Sequence, residues 1–306
     1  MRTPSYGKSG EALIISGVHT KNPMKNKSTV LITGSSSGFG KASAAFFLAQ
    51  GWNVIATMRS PQPGLFDAND RLLVTVLDVT RPASISAAIA AGIARFGRID
   101  VFVNNAGIGL FGVHEAVSDE VIRQVFETNT FGVMAANRAI IPHLRERGSG
   151  TIINVTSSAG IAPMPLVAAY TASKYAIEGF SESLAYELAM FGIQVKIVEP
   201  GLSPATSFAA NSGGRCDNTI PAAYAGHAGR YLQSMREHPT AYTTAQDVAE
   251  TVFAAATDGL DKLRYPAGAD SMMLAELRRS LSETDFVARM RAMTGSEPAV
   301  EQHDPA

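Results

Sequence analysis

The chain has 306 residues, enough for one large α/β domain or two small ones. Hydrophobic residues make up 46% and charged residues 17%, the balance of an ordinary soluble globule, and a net charge of −1 leaves no electrostatic footprint for nucleic acid or an anionic membrane. A single cysteine, Cys216, excludes an internal disulfide framework and a Cys-rich metal site and suits a reducing, cytoplasmic setting.

No apolar run reaches the roughly 18 residues of a membrane span. None of the six histidines has metal-ligand spacing, and no metal is expected. Residues 1–27 are polar and basic around one short apolar patch, and are expected to be a disordered extension ahead of the folded pattern, which Met24 directly precedes.

Residues 29–33 form a β-rich apolar run, followed by Thr33-Gly34-Ser35-Ser36-Ser37-Gly38-Phe39-Gly40 and a helical pattern over 41–50. A glycine-rich turn between strand and helix suits a phosphate, because the backbone can approach closely and the helix N-terminus offers free N–H groups. A second strand is expected at 52–57. It ends in Met58-Arg59, where an acid would favour the ribose 2′-hydroxyl of NAD. No carboxylate is there to repel a 2′-phosphate and Arg59 can pair with one, so NADP(H) is favoured with NAD(H) possible; the alternative is a solvated arginine at a strand end.

The third strand, 72–77, ends in Asp78-Val79, and a helix opened by Pro82 runs to about residue 95. The fourth, 99–103, runs into Asn104-Asn105-Ala106-Gly107, a small turn that exposes backbone. Residues 118–147 read as one long helix with Ser118 as N-cap, and Asn129 is an unfavourable residue inside it.

A strand at 151–155 leads to Ser157 and Ser158, then a loop, then a helix over 168–191. Tyr170 and Lys174 are four apart on that helix and share one face. A phenol titrates near ~10, and a neighbouring ammonium favours its ionised form, which makes the pair an acid/base device. Ser157 can reach the same spot. Tyr175, Phe180, Leu184 and Leu188 read as core or subunit-interface residues.

The sixth strand, 193–198, ends in Glu199-Pro200-Gly201. Residues 203–240 are irregular and read as a substrate lid. A helix at 244–257, a short strand at 263–266, one or two helices over 270–293 and a disordered tail from 294 complete the chain. Strands alternating with helices predict an α/β fold, a single Rossmann-type doubly wound parallel sheet with a C-terminal helical extension, formed by residues 28–293 as one catalytic domain.

Four motifs in order over about residues 28–266 resemble the short-chain dehydrogenase/reductase family, in the branch related to retinol and 17β-hydroxysteroid dehydrogenases. They are the Thr-Gly-x-x-x-Gly-x-Gly loop, Asn-Asn-Ala-Gly, Ser157 thirteen residues before Tyr170, and Tyr-x-x-x-Lys.

The resemblance implies a cofactor set of Gly34, Ser36, Gly38, Phe39, Gly40, Arg59, Asp78, Val79, Asn105, Ala106, Gly107, Tyr170, Lys174, Pro200, Gly201 and Thr206. In the family Asp78 would meet the adenine amine, a role that can coexist with a turn or cap. Asn104 would bridge strands, and Val198 would offer a backbone contact. Ser157, rather than the adjacent Ser158, is the catalytic serine by resemblance alone. Asn129 would bend its helix and hold a water that links Lys174 to solvent; a buried Asn bonding a neighbouring carbonyl is the other reading. Ser37 stands where the family often has a second basic residue. The threonine expected after Pro200-Gly201 is displaced, so either the loop bulges, or Ser203 or Thr206 takes its place.

The resemblance thus implies hydride transfer between NADP(H) and a carbonyl/alcohol pair. Tyr170 would be the acid/base, Lys174 would lower its pKa and hold the nicotinamide ribose, Ser157 would orient the carbonyl and Asn129 would support a relay. Mostly apolar pocket segments, 110–114 and 159–167, hint at a hydrophobic substrate. The family's habit implies a homodimer or homotetramer. A non-catalytic NADP(H) sensor or scaffold is the alternative. An extended-group epimerase is disfavoured, because the chain carries Asn-Asn-Ala-Gly and has no large sugar domain.

Overall fold

The computed structural model describes residues 27–204, 214–237 and 241–296; most of the expected N-terminal extension and tail, and parts of the expected lid, lie outside these. In chain order the elements are β1 (Thr29–Ile32), α1 (Gly38–Ala49), β2 (Asn53–Met58), β3 (Leu72–Val76), α2 (Pro82–Phe96), β4 (Val101–Asn104), α3 (Asp119–Phe126), α4 (Gly132–Arg147), β5 (Gly150–Val155), α5 (Ala168–Ala189), β6 (Ile193–Pro200), α6 (Ala225–Arg236), α7 (Ala245–Thr257), β7 (Arg264–Ala267), α8 (Ala269–Ser280) and α9 (Glu283–Thr294).

The strands form one seven-stranded sheet in the order β3-β2-β1-β4-β5-β6-β7, with every pair parallel. This is the expected Rossmann-type doubly wound sheet. The order reverses between β1 and β4, and a crevice opens there at the strands' C-terminal ends.

Strand alternation divides the core between the two faces. Leu31, Ile55, Phe102, Ile152 and Val195 pack with Ile85, Ile140, Leu144 and Leu184 of α2, α4 and α5. Val30, Ile32, Val54, Val103 and Ile153 pack with Phe47, Val248 and Val252 of α1 and α7. Each such side chain contributes about 1.5–3 kcal/mol on burial, which makes the sheet a rigid base for the loops at its ends.

Ser118 caps α3 through Val121 N at 3.3 Å, as expected. The single helix expected over 118–147 is interrupted by a π-helical segment at Glu127–Phe131. The cause is Asn129: its amide is engaged by the backbone of Ile108 on a separate loop, so the helix widens by one residue to present it. β6 runs two residues beyond the expected end, because Glu199 and Pro200 pair with Pro266 and Ala267. The C-terminal segment forms two helices, divided where Leu281 turns extended and Ser282 caps α9.

Candidate active site

The turn between β1 and α1 is shaped by glycine. Gly34 has a φ of +70°, and a Cβ there would lie 2.8 Å from Ala106 Cα. A Cβ on Gly40 would lie 2.3 Å from Gly34 O and 2.4 Å from Asn105 Nδ2. Asn105 ties the two motif loops together, donating to the carbonyls of Thr33 (2.9 Å) and Gly34 (3.2 Å). Thr33 Oγ1 accepts from the N–H groups of Asn105 and Ala106, both at 3.0 Å. Ser36 is exposed, Phe39 packs on the core, and Ser37 makes no side-chain cap hydrogen bond. The first-turn amides of α1 are left without that cap. This cradle suits the phosphates of a dinucleotide.

Arg59 is exposed at the end of β2, and its charge acts on Asp78 across the β2–β3 edge. Burial pushes Asp78 up, but hydrogen bonds from Thr80 and the charges of Arg81 and Arg59 outweigh it and hold the carboxyl below its usual range. Asp78 Oδ1 accepts from Thr80 N (3.0 Å) and Oγ1 (2.8 Å), so the turn role is present. The Val79 side chain is in the core against Gly132, leaving its backbone for the crevice. Asn104 bridges strand and helix by donating to Asn154 (2.9 Å) and Asn137 (3.2 Å). Gly107 keeps the crevice floor open beside Asn129 Oδ1 and Lys174 Nζ, which a Cβ there would approach to 3.3 and 3.7 Å.

Ser157, Tyr170, Lys174 and Asn129 converge at this crevice. The Ser157 hydroxyl hydrogen-bonds the Tyr170 phenol. Ser157 is partly exposed whereas Ser158 is buried at 4%, so only the first faces the cleft. Lys174 Nζ donates to Val155 O at 3.3 Å and sits 5.7 Å from the Tyr170 ring centroid. Asn129 accepts from Ile108 N at 2.8 Å and donates to Ile108 O at 2.9 Å and Ser173 Oγ at 3.2 Å. Both readings of Asn129 are therefore compatible: it bonds a neighbouring carbonyl, and it lies at a helix deformation next to Lys174.

The expected lowering of Tyr170 by Lys174 is not seen here. Burial pushes the phenol up to about 12, with the Ser157 hydrogen bond acting the other way. Burial lowers Lys174 to about 8, opposed by the charge of Glu178. The ammonium is turned to the Val155 carbonyl, so the resting pair is a neutral phenol beside a lysine near its own titration point.

After β6, Gly201 N donates to Ala267 O at 3.1 Å. Asp270, in the first turn of α8, accepts from Leu202 N (2.7 Å) and Thr243 Oγ1 (2.6 Å) and packs directly under Gly201. It anchors the Pro200-Gly201 turn and was missed by sequence reasoning; its only local signal is an acid at the start of a helix. The Val198 carbonyl is engaged by Thr156 N at 2.8 Å. Thr206 lies outside the described residues.

Val113, Leu166, Ala228 and Tyr231 form an apolar wall with Phe111, Met164 and Tyr224. Residues 214–237 of the segment expected to be a lid pack on it through Ala228 and Tyr231 of α6. Gly112 N donates to Leu166 O (2.6 Å), and Val113 N donates to Thr219 O (2.8 Å). Leu274, Phe286 and Met290 of α8 and α9 back the same loop at Ala162.

The short chain dehydrogenase family matches residues 28–214 of the chain. This chain belongs to that family. It is therefore an NAD(P)-dependent oxidoreductase of the short-chain dehydrogenase class. An uncharacterized oxidoreductase of Bacillus subtilis, YusZ, is 37% identical over 84% of the chain and 94% of its own length. The 3-ketodihydrosphingosine reductase of Bacteroides thetaiotaomicron is 40% identical over 56% of the chain and 62% of its own. Retinol dehydrogenase 8 of Bos taurus is 38% identical over 56% of the chain and 58% of its own.

Among solved structures, a short-chain dehydrogenase from Streptomyces avermitilis has a TM-score of 0.70 and 31% identity, covering 89% of this chain and 99% of its own. ElxO with NADP bound has a TM-score of 0.66 at 27% identity, covering 78% and 97%. A 3-ketoacyl-(acyl-carrier-protein) reductase from Brucella melitensis, complexed with NADH, has a TM-score of 0.66 at 25% identity, covering 80% and 98%. No helix among the described residues is long and apolar enough to cross a membrane.

Proposed function

We propose that this dehydrogenase interconverts a hydrophobic ketone or aldehyde with its alcohol, using NADP(H), with NAD(H) as a second cofactor it accepts. The convergence of Ser157, Tyr170 and Lys174 on one crevice carries the reading. The nicotinamide, when bound, supplies or accepts the hydride.

The chain's own residues handle the oxygen. Tyr170, kept protonated by burial, donates its proton to the carbonyl oxygen in reduction and takes it back in oxidation. Ser157 hydrogen-bonds the same oxygen and stabilises the charge that develops on it. Lys174 supplies positive charge beside the phenol as the proton leaves. Asn129 fixes Ile108 and supports a water relay to Lys174.

Gly34, Ser36, Gly38, Phe39 and Gly40 would hold the phosphates, and Arg59 the 2′-phosphate. Asp78 and Val79 would meet the adenine, Asn105, Ala106 and Gly107 the ribose, and Pro200, Gly201 and Thr206 the nicotinamide side. NADP(H) is supported by the exposed Arg59 at a strand end without a carboxylate, and by ElxO, which binds NADP. The apolar wall supports a hydrophobic substrate, as do the names of the two relatives that act on ketodihydrosphingosine and retinol.

Phe131, in the π segment before α4, and Tyr186 and Met190, at the end of α5, are 53%, 84% and 80% exposed, which supports a homodimer or homotetramer. Cys216, the one cysteine, supports a cytoplasmic setting.

The test is NADPH and NADH oxidation run side by side against aliphatic, aromatic and steroid-like carbonyls. Turnover with NADPH well above NADH is expected. Tight cofactor binding with no turnover on any carbonyl would favour a non-catalytic sensor instead.

A further inference from the structure

Behind Lys174 lies a second buried charge cluster that the reaction above does not use. Glu178 is one turn after Lys174 on α5, and the two are buried at 4% and 6% exposure. Its Oε2 accepts from Arg264 Nη1 on β7. The same nitrogen donates to Glu199 Oε1 on β6 at 3.0 Å, and Arg264 Nη2 donates to Glu182. One guanidinium thus serves three carboxylates. Glu182 is exposed, but Glu199 is 1% exposed, and its Oε2, like Glu178 Oε1, has no hydrogen-bond partner among the described residues.

The remaining neighbours leave little room for adjustment. A Cβ on Gly160 would lie 2.9 Å from Glu178 Oε1, so the turn after β5 closes directly over the carboxylate. The Thr156 hydroxyl faces Glu178, and Lys262 faces Glu199. Tyr175 on α5 and Arg278 on α8 border the cluster. A buried carboxylate oxygen with no donor is costly when charged and far less so as an acid. Two buried acids on one arginine cannot both ionise freely.

We infer that Glu178 is a positioning residue for Lys174, its carboxylate keeping the buried ammonium charged, and that Glu199 holds the proton that this crowded pair of acids does not release together. This rests on the role proposed for Lys174. Burial lowers Lys174 to about 8 while Glu178 opposes it. Burial and the charge of Glu178 push Glu199 up to about 7, against Arg264 and Lys262. Burial raises Glu178 as well, against the Thr156 hydroxyl and the charges of Arg264 and Lys174.

The two acids then act on Lys174 differently. Glu178→Gln removes the attraction, so the lysine loses its proton at lower pH. Glu199→Gln frees Arg264 for Glu178, which stays ionised, and the lysine keeps its proton to the same or higher pH.

The experiment is a pH titration of lysine side-chain carbons by NMR in the full-length protein, with the Lys174 signal identified by its loss in Lys174→Met. Expected is a midpoint near about 8 in the native chain. It should fall by about one pH unit in Glu178→Gln and be unmoved or higher in Glu199→Gln, with the pH profile of kcat following both. A folded Glu178→Gln with the native midpoint overturns the proposal.

If that variant fails to fold, Glu199→Gln carries the test. Because native Glu199 retains a proton to about 7, the native chain should lose stability as pH rises from about 4.5 to about 7, and Glu199→Gln should lose less over that range, Glu178 alone being left to contribute. Parallel stability curves overturn the proposal. The titration reads Lys174 without turnover. Shifted lysines in a protein inactive on every carbonyl would sink the enzymatic reading alone, whereas unshifted lysines in an active enzyme would sink this one alone.

Discussion

The two halves of the sheet build their parts of the crevice differently. On the β1–β4 side, backbone does the work: Gly34 and Gly40 let two loops touch, and Asn105 and Thr33 stitch them together. On the β5–β7 side, side chains distant in sequence do it: Asp270 reaches back to Leu202, and Arg264 reaches Glu178 and Glu199. A loop shaped by missing Cβ atoms announces itself in a short sequence window. A loop held by a buried carboxylate from the next helix does not.

That contrast can be broken first where it predicts the largest effect. Gly40→Ala places a methyl against backbone and a bonded amide, which have little freedom to move, and is expected to cost about 3 kcal/mol or more of stability and to weaken dinucleotide binding. Urea denaturation and cofactor titration check both. If the variant binds and folds as the native chain does, the backbone account of the β1–β4 side is wrong.

Asp270→Ala tests the other side. It leaves Leu202 N without its side-chain acceptor, while Thr243 Oγ1 keeps Ala267 O at 3.0 Å, at about 1–3 kcal/mol for a buried unsatisfied donor. The expected pattern is lower stability and a raised KM, while binding of an adenosine fragment of the cofactor stays near native. Loss of fragment binding as well would mean that the two halves are not separable. The smallest effect is Arg59→Ala, which should lower affinity for NADPH by roughly 10- to 100-fold and leave NADH nearly unchanged. Equal losses with both would remove the 2′-phosphate assignment.

The parallel doubly wound sheet and the four side chains that converge were legible in the sequence, because apolar periodicity and the short motifs are local, whereas the strand order came with the structure. The choice of Ser157 over Ser158 was not legible from residues alone. Burial separates them, since Ser158 turns inward to start a 3-10 turn. The π segment at Glu127–Phe131 was hinted at by an asparagine in a helix, but its cause, a bond pair to Ile108, is a tertiary contact. The direction of the Tyr170 shift was misjudged for a related reason. Helical spacing puts Lys174 on the same face, but only the structure shows the ammonium turned to Val155 and burial dominating the phenol. Glu178, Glu199 and Arg264 come from three separate elements and carry no shared sequence signature.

The most direct measurement of the central claim is Tyr170→Phe, with turnover and NADPH binding determined on the same preparation. The account predicts kcat reduced by at least about 10²-fold with NADPH affinity essentially retained, because the ring and its packing survive while the transferable proton is gone. Near-native turnover in that variant would contradict it, and would move the acid/base role away from Tyr170 altogether.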